Sequence, residues 1–241
     1  MINGYKVHHK FQAHDHRDCK LDITPNVDLP SKCGITNSHM VVFDQGELGS
    51  CSANAICNQI LYLGPLYTPS RIYQYFNSRV ISNDVPFDSG CTYRDAYKVL
   101  AKLGFCDDKL CPYIVSTFSE QPSIECYYSA NNTLVKTYKA PNQCLYDIKY
   151  ALYHGHPVAI GIQIYDNFEP DVNGVIPMPT SDSQLRGGHA VLLVAYNDET
   201  KHFKMLNSWS DKWAQGGYGY LHYDFVLNPQ YCSDIWVIDT K

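Results

Sequence analysis

Three residues of this chain have the types and surroundings that nucleophilic chemistry needs. Residues 44 to 53 read Asp-Gln-Gly-Glu-Leu-Gly-Ser-Cys-Ser-Ala, which puts Cys51 in the first turn of an expected amphipathic helix. Unpaired N–H groups and the macrodipole at a helix N-terminus favour a thiolate, and with a nearby imidazolium they bring a thiol pKa down to ~3.5–7.5. Gly187-Gly188-His189-Ala190-Val191 sets a histidine at the start of an apolar run, beside glycines that let another backbone approach. Leu206-Asn207-Ser208-Trp209 closes the next run, followed by Trp213-Ala214-Gln215-Gly216-Gly217-Tyr218-Gly219-Tyr220. Singly, each has a plainer reading. Cys51 is then a small buried residue, His189 a hydrogen-bonded structural one, Asn207 a turn residue and the tryptophans core. Together and in this order they fit a thiol nucleophile, its base and the group that orients the base.

The elements that must hold these residues are legible from periodicity. After Ser50, a possible cap, Ala53, Ile56, Cys57, Ile60 and Leu61 recur at helical spacing until Gly64-Pro65 stops the run. A second helix is expected after Thr68-Pro69-Ser70, with Ile72, Tyr73 and Phe76 inward. A third follows Thr92, with Asp95 near its N-terminus and Gly104 at its end. A further helix spans about Leu145 to His154. The period then changes: Pro157–Tyr165, His189–Tyr196, Phe203–Asn207, Gly219–Tyr223 and Ile235–Asp239 read as strands between turns. Helices first and strands afterwards give an α+β chain, organised as a leader (1–26), a mainly helical lobe (27–143) and a β-rich lobe (144–241). Chemistry is expected in the cleft between the lobes.

Composition removes several classes. The formal net charge is -5 over 241 residues and no Lys/Arg cluster stands out, which argues against nucleic acid as a partner. No apolar run is long enough to span a bilayer, so no membrane partner is expected, and the opening Met-Ile-Asn-Gly-Tyr-Lys lacks the apolar stretch of an export signal. The ten cysteines invite a disulfide-stapled, secreted reading. Against it, a chain of this size can bury its own core, and a catalytic Cys51 leaves nine, an odd number. Reduced thiols in a compartment such as the cytoplasm are the expectation. Asn131-Asn132-Thr133 fits a glycosylation sequon, which carries little weight without a secretory route. The leader holds His8, His9, His14, His16 and Cys19, but their spacing matches no zinc pattern, so a solvated segment without metal is expected.

The motifs resemble those of papain-like cysteine peptidases over roughly residues 27 to 241. Gln45-Gly46 with Gly49-Ser50-Cys51 resembles the family's Gln-Gly-x-x-Gly-Ser-Cys signature. His189-Ala190-Val191 resembles the strand bearing the family's histidine, and Asn207-Ser208-Trp209 with Trp213 and Gly217-Tyr218-Gly219 resembles its Asn-Ser-Trp block. His189 lies 138 residues after Cys51 (189 − 51) and Asn207 lies 156 after it (207 − 51), against about 130–150 expected for papain and the cathepsins. A loop at Asn197-Asp198-Glu199-Thr200 would absorb the excess.

The resemblance implies a two-lobed papain-like fold and a cysteine endopeptidase acting on protein or peptide substrates without metal or cofactor. Cys51 would attack, His189 would act as base and then acid, Asn207 would orient His189, and Gln45 would help hold the oxyanion. Trp209 would shield the His189–Asn207 bond, while Gly90 and Gly188 would border the substrate. Ser52 stands where the family usually has tryptophan, and Leu48 where secreted members commonly have a disulfide cysteine. Ser210 and Ala214 replace two usual glycines. The variant Asp-Gln-Gly-x-Leu-Gly-Ser-Cys is similar to a branch found in bacteria and large DNA viruses, which makes a virion a second candidate location. Family members are commonly made as zymogens, so residues 1–26 are expected to act as a short pro-like segment. Two rival readings share the fold: an acyl transferase that resolves the thioester with an amine, and a silent binding protein.

Overall fold

The computed structural model describes residues 1–13, 15–35, 39–135 and 137–239. Its elements in chain order are β1 (Lys32–Gly34), α1 (Cys51–Tyr62), α2 (Arg71–Ile81), α3 (Tyr93–Lys102), α4 (Ile124–Ala130), β2 (Tyr138–Lys139), α5 (Leu145–Tyr153), β3 (Val158–Tyr165), β4 (Leu185–Asn197), β5 (His202–Leu206), β6 (Tyr218–His222), α6 (Tyr223–Leu227) and β7 (Cys232–Ile238). The helices α1 to α4 precede an antiparallel sheet of order β2-β7-β3-β4-β5-β6, with β1 pairing to β4. This is the α+β arrangement read from the sequence.

β4 is the central strand, and its alternation serves two cores. Val191 and Leu193 pack with Ile160, Ile162, Phe203, Ile148 and Leu152 on one side. Ala190, Leu192 and Val194 face Ala55, Ile56, Ile60, Tyr97 and Trp236 on the other. Successive strand side chains point to opposite faces, so a run apolar at every position belongs to a sheet covered on both. α1 lies in the second core and is buried from Cys51 through Leu61.

Local chemistry sets the helix starts. Ser70 caps α2 by accepting from the Tyr73 N–H at 3.0 Å, and Thr92 caps α3 by accepting from the Asp95 N–H at 3.0 Å. Ser50 departs from the expectation of a cap. Its backbone sits at ψ 19° rather than in the extended region, and its hydroxyl pairs with the Tyr113 hydroxyl at 2.6 Å and with Asn54 Nδ2 at 3.0 Å. Arg79 of α2, fully buried, donates to the carbonyls of Val85, Phe87 and Phe118. That grip shapes the loop of residues 84–91 at the edge of the cleft. Sequence periodicity missed α4, whose only buried residues are Cys126 and Ala130, and extended β6 to Tyr223, which instead opens α6 behind the His222 cap.

Candidate active site

The nucleophile-bearing loop is zipped to the end of β5. Asp44 bridges to Trp209, the Gln45 N–H donates to the Ser208 carbonyl at 2.9 Å, and the Ser210 N–H donates to the Phe43 carbonyl at 3.1 Å. These bonds bring Gln45 and Cys51 to the same place as Asn207 and His189. The backbone amides of Ala190, the residue after His189, and of Ser52 and His8 lie close enough to the Cys51 thiol to favour its ionised form.

The imidazole is held firmly. His189 Nε2 donates to Asn207 Oδ1 at 2.7 Å, and the Ser208 N–H donates to the same oxygen at 2.8 Å, which fixes the amide orientation. Because that oxygen only accepts, Nε2 carries a proton and Nδ1 is left as the acceptor of a neutral ring. Nδ1 is buried and has no hydrogen-bond partner among the described residues. Trp209 stacks on the imidazole, with ring centroids 4.7 Å apart and planes at 30°.

Gln45 is oriented from both ends. Its Oε1 accepts from Ser208 Oγ at 2.7 Å, while Nε2 donates to the Leu48 carbonyl at 2.9 Å and to the Lys6 carbonyl at 3.0 Å. Ser208 was not singled out from the sequence. It lies between Asn207 and Trp209, and only folding brings its hydroxyl against Gln45.

Lys6 belongs to the leader, which runs through the cleft. Tyr5 stacks on Trp209 at 5.2 Å with the planes 10° apart and donates its hydroxyl hydrogen to the Trp209 carbonyl at 3.0 Å. Lys6 Nζ pairs with Asp88 at 2.7 Å and Lys10 Nζ with Asp84 at 2.6 Å. The His9 N–H donates to the Gly188 carbonyl at 2.9 Å, and the Lys10 N–H to the Cys91 carbonyl at 3.3 Å. Gly90, at φ +75°, leaves room for this chain: a Cβ there would lie 1.6 Å from the His8 carbonyl oxygen. Gln45, Cys51, Gly90, Gly188, His189, Asn207 and Trp209 therefore all meet at one cleft.

One expectation needs correction. The leader is not simply solvated: Val7 and His9 are 4% and 5% exposed, because the cleft supplies partners for both backbone and side chains. Cys51 and His189 are both fully buried. Burial pushes the thiol up to about 11 despite the nearby Ala190, Ser52 and His8 amides. Burial likewise brings His189 down to about 4, against the opposing pull of Asn207 and with help from the charge of His9. Among the described residues no group of three or more His, Cys, Asp or Glu is placed to hold a metal ion, and His14 lies outside those residues. The ten cysteines are free thiols. No helix among the described residues is long and apolar enough to cross a membrane.

A buried thiol at a helix start, an amide-held imidazole on the facing strand and a glutamine amide beside them define a peptidase of the cysteine type. The chain belongs to the papain family of cysteine proteases, whose model matches residues 23–232. It is 34% identical over 214 residues to an uncharacterized peptidase C1-like protein of Acanthamoeba polyphaga mimivirus, covering 81% of this chain and 68% of the other. Xylellain, a cysteine protease from Xylella fastidiosa, superposes with a TM-score of 0.91 at 34% identity, over 99% of this chain and 96% of that one. The fold is also that of digestive procathepsin L 3 from the larval midgut of Tenebrio molitor, with a TM-score of 0.67 and 19% identity over 88% of this chain and 71% of that one.

Proposed function

We propose that the chain is a cysteine endopeptidase whose own N-terminal segment, residues 1–26, holds it closed. The observation that carries this reading is the Lys6 carbonyl at 3.0 Å from Gln45 Nε2, where a substrate's oxyanion would sit. The segment occupies the cleft, keeps water out and leaves the thiol and imidazole neutral. Its departure lets water and charge back in, so the Cys51 proton can pass to His189 Nδ1.

The cycle then runs as follows. Cys51 Sγ bonds to the scissile carbonyl carbon while its proton moves to His189. The resulting oxyanion accepts from Gln45 Nε2 and the Cys51 N–H. As the C–N bond breaks, His189 Nδ1 protonates the leaving amine, and an acyl-thioester remains on Cys51. Water attacks the thioester carbonyl, losing a proton to His189, and the C–S bond breaks to release the acid and restore the thiol. Asn207 keeps Nδ1 the nitrogen that exchanges protons, and Trp209 keeps that hydrogen bond dry.

The test is peptide hydrolysis by three full-length forms: the native chain, a Lys6→Glu/Lys10→Glu chain and the same chain with Cys51→Ala. The double variant sets carboxylates against Asp88 and Asp84 and should unseat the leader. Hydrolysis is expected to rise in the double variant and vanish with Cys51→Ala. Equal activity in the native and double-variant chains would contradict closure. With an added amine acceptor, acyl-amine product in place of free acid would point to the acyl transferase.

A further inference from the structure

Two groups would hold the oxyanion, the Gln45 side-chain amide and the Cys51 N–H, and a polar network behind the cleft connects them. Tyr113 donates its hydroxyl hydrogen to the Gln45 carbonyl at 2.8 Å, and the same hydroxyl pairs with Ser50 Oγ at 2.6 Å. Because the phenolic hydrogen goes to the carbonyl, Ser50 is the donor in that pair. Asn54 Nδ2 in turn donates to Ser50 Oγ and to the Ser50 carbonyl, each at 3.0 Å. One phenol therefore joins the residue with the side-chain donor to the residue just before the backbone donor.

Arg71 closes the network from the other side. Its guanidinium carbon lies 3.7 Å from the centre of the Tyr113 ring and 4.3 Å from that of Phe43, so two aromatic faces hold the cation. Nη1 donates to the Asp44 carbonyl and to Asn54 Oδ1, each at 3.0 Å. That second bond fixes the Asn54 amide with its Nδ2 toward Ser50. Arg71 opens α2 directly behind the Ser70 cap, so the loop of residues 44–50 is tied to a rigid element. The bonds to Ser208 tie Gln45 to the histidine side of the site. Those through Tyr113 and Arg71 tie it to the start of α1.

A network of this kind is a poor way to fill space. Arg71 Nε is buried and has no hydrogen-bond partner among the described residues, a cost that apolar side chains in the same place would avoid. What directional bonds supply instead is geometry. Oxyanion donors act when they stand about 2.7–3.1 Å from the developing charge, and small misplacements lose much of the effect.

We infer that Tyr113 and Arg71 are positioning residues of the oxyanion hole, holding Gln45 Nε2 and the Cys51 N–H at the separation a tetrahedral intermediate requires. The inference rests on the peptidase reading. Both side chains act through the backbone and side chains of residues 44, 45, 50 and 54. Their influence is confined to steps that build charge on a carbonyl oxygen. Opening of an epoxide by Cys51 forms a C–S bond and breaks a C–O bond with no carbonyl oxyanion, so it escapes them.

The experiment takes the full-length Lys6→Glu/Lys10→Glu chain as parent and adds Tyr113→Phe, which keeps the ring under Arg71 and removes only the hydroxyl. For peptide hydrolysis, kcat should fall about tenfold, less than the ~10²–10³ for loss of a whole donor, with KM within about twofold. Alkylation of Cys51 by the epoxide inhibitor should keep the parent's rate, which also reports an intact site. Arg71→Lys keeps the charge but loses the planar stack, and should shift kcat in the same direction. Adding Gln45→Ala to Tyr113→Phe should cost little beyond Gln45→Ala alone, because there is then no side-chain amide left to position.

An unchanged kcat in Tyr113→Phe overturns the inference while the peptidase reading stands. So does an equal loss of hydrolysis and alkylation, which marks general damage, or a fully additive loss with Gln45→Ala. A parent that takes the epoxide but cleaves no peptide has no working oxyanion hole to position and also overturns it. A parent that does neither sinks the peptidase reading, and the inference with it.

Discussion

Between β3 and β4 the chain packs Ile160, Ile162, Val191 and Leu193 against one another, all out of water. Between the leader and the cleft it sets Lys6 against Asp88 and Lys10 against Asp84. Apolar packing is non-directional and scales with the area removed from water, and it carries no charge that a change of pH could remove. Partly exposed ion pairs hold a geometry but add little to stability, and charge or solvent competes with them. The sheet is built to stay. The leader is seated as a ligand is seated, by charge complementarity and a few backbone bonds, and such an interface can be released without unfolding what lies beneath.

The strongest way to break that contrast is in the core. Leu193→Ala should lower global stability by ~2–5 kcal/mol, the range for large-to-small changes at a fully buried site. Urea unfolding checks it, and a value near zero would mean that the sheet is not the permanent part. Next in size is the oxyanion donor. In the Lys6→Glu/Lys10→Glu chain, Gln45→Ala should cut turnover by ~10²–10³. Ser208→Ala, which only frees Gln45 to turn, should cost less, and steady-state kinetics would reveal the reverse.

Acid should act on the leader before it acts on the core. Hydrogen bonds from Lys10 and Ser89 hold Asp84 below the ordinary carboxylate range. Burial pushes Asp88 up, but Lys6, Tyr75 and the Gly49 N–H together outweigh it and leave it lowered as well. Lowered carboxylates contribute fully above their unfolded pKa and lose that contribution as pH falls through the folded value. Exchange protection of the His9 and Lys10 amides should therefore stay level from pH 8 to about 4 and fall below it. Loss already between pH 7 and 5 would show that other groups hold the leader. The smallest effect is expected at a single exposed pair. Lys10→Ala should change global stability by no more than ~1 kcal/mol, yet speed trimming of the leader by an added protease. A large stability loss would mean that the leader is part of the core after all.

Much of this was legible in the chain. Ala53, Ile56 and Ile60 gave α1, and Val158 to Tyr165 gave β3, because burial of a face leaves a period in the sequence. Gln45, Cys51, His189 and Asn207 could be located because short patterns surround each of them. The cleft's occupant was less legible. Tyr5, Lys6 and His9 have no periodic pattern, and their partners Trp209, Asp88 and Asp234 lie 82 to 225 residues away, at pairings that only the tertiary fold decides. The complete burial of Cys51 was hidden for the same reason. A helix N-terminus argues for a thiolate, but burial of the thiol pulls its pKa the other way. Ser52 did leave a trace, as a small polar residue where bulk was expected, though its bond to His9 was not deducible from that alone.

The central claim is that Cys51 is a nucleophile held off by the leader, and intact mass after exposure to an epoxide inhibitor selective for papain-like enzymes tests it most directly. The native chain, the Lys6→Glu/Lys10→Glu chain and its Cys51→Ala form are incubated side by side at neutral pH. The account predicts one adduct forming readily on the double variant, far more slowly on the native chain, and none with Cys51→Ala. Equal labelling of the first two, or an adduct that survives Cys51→Ala, would contradict it.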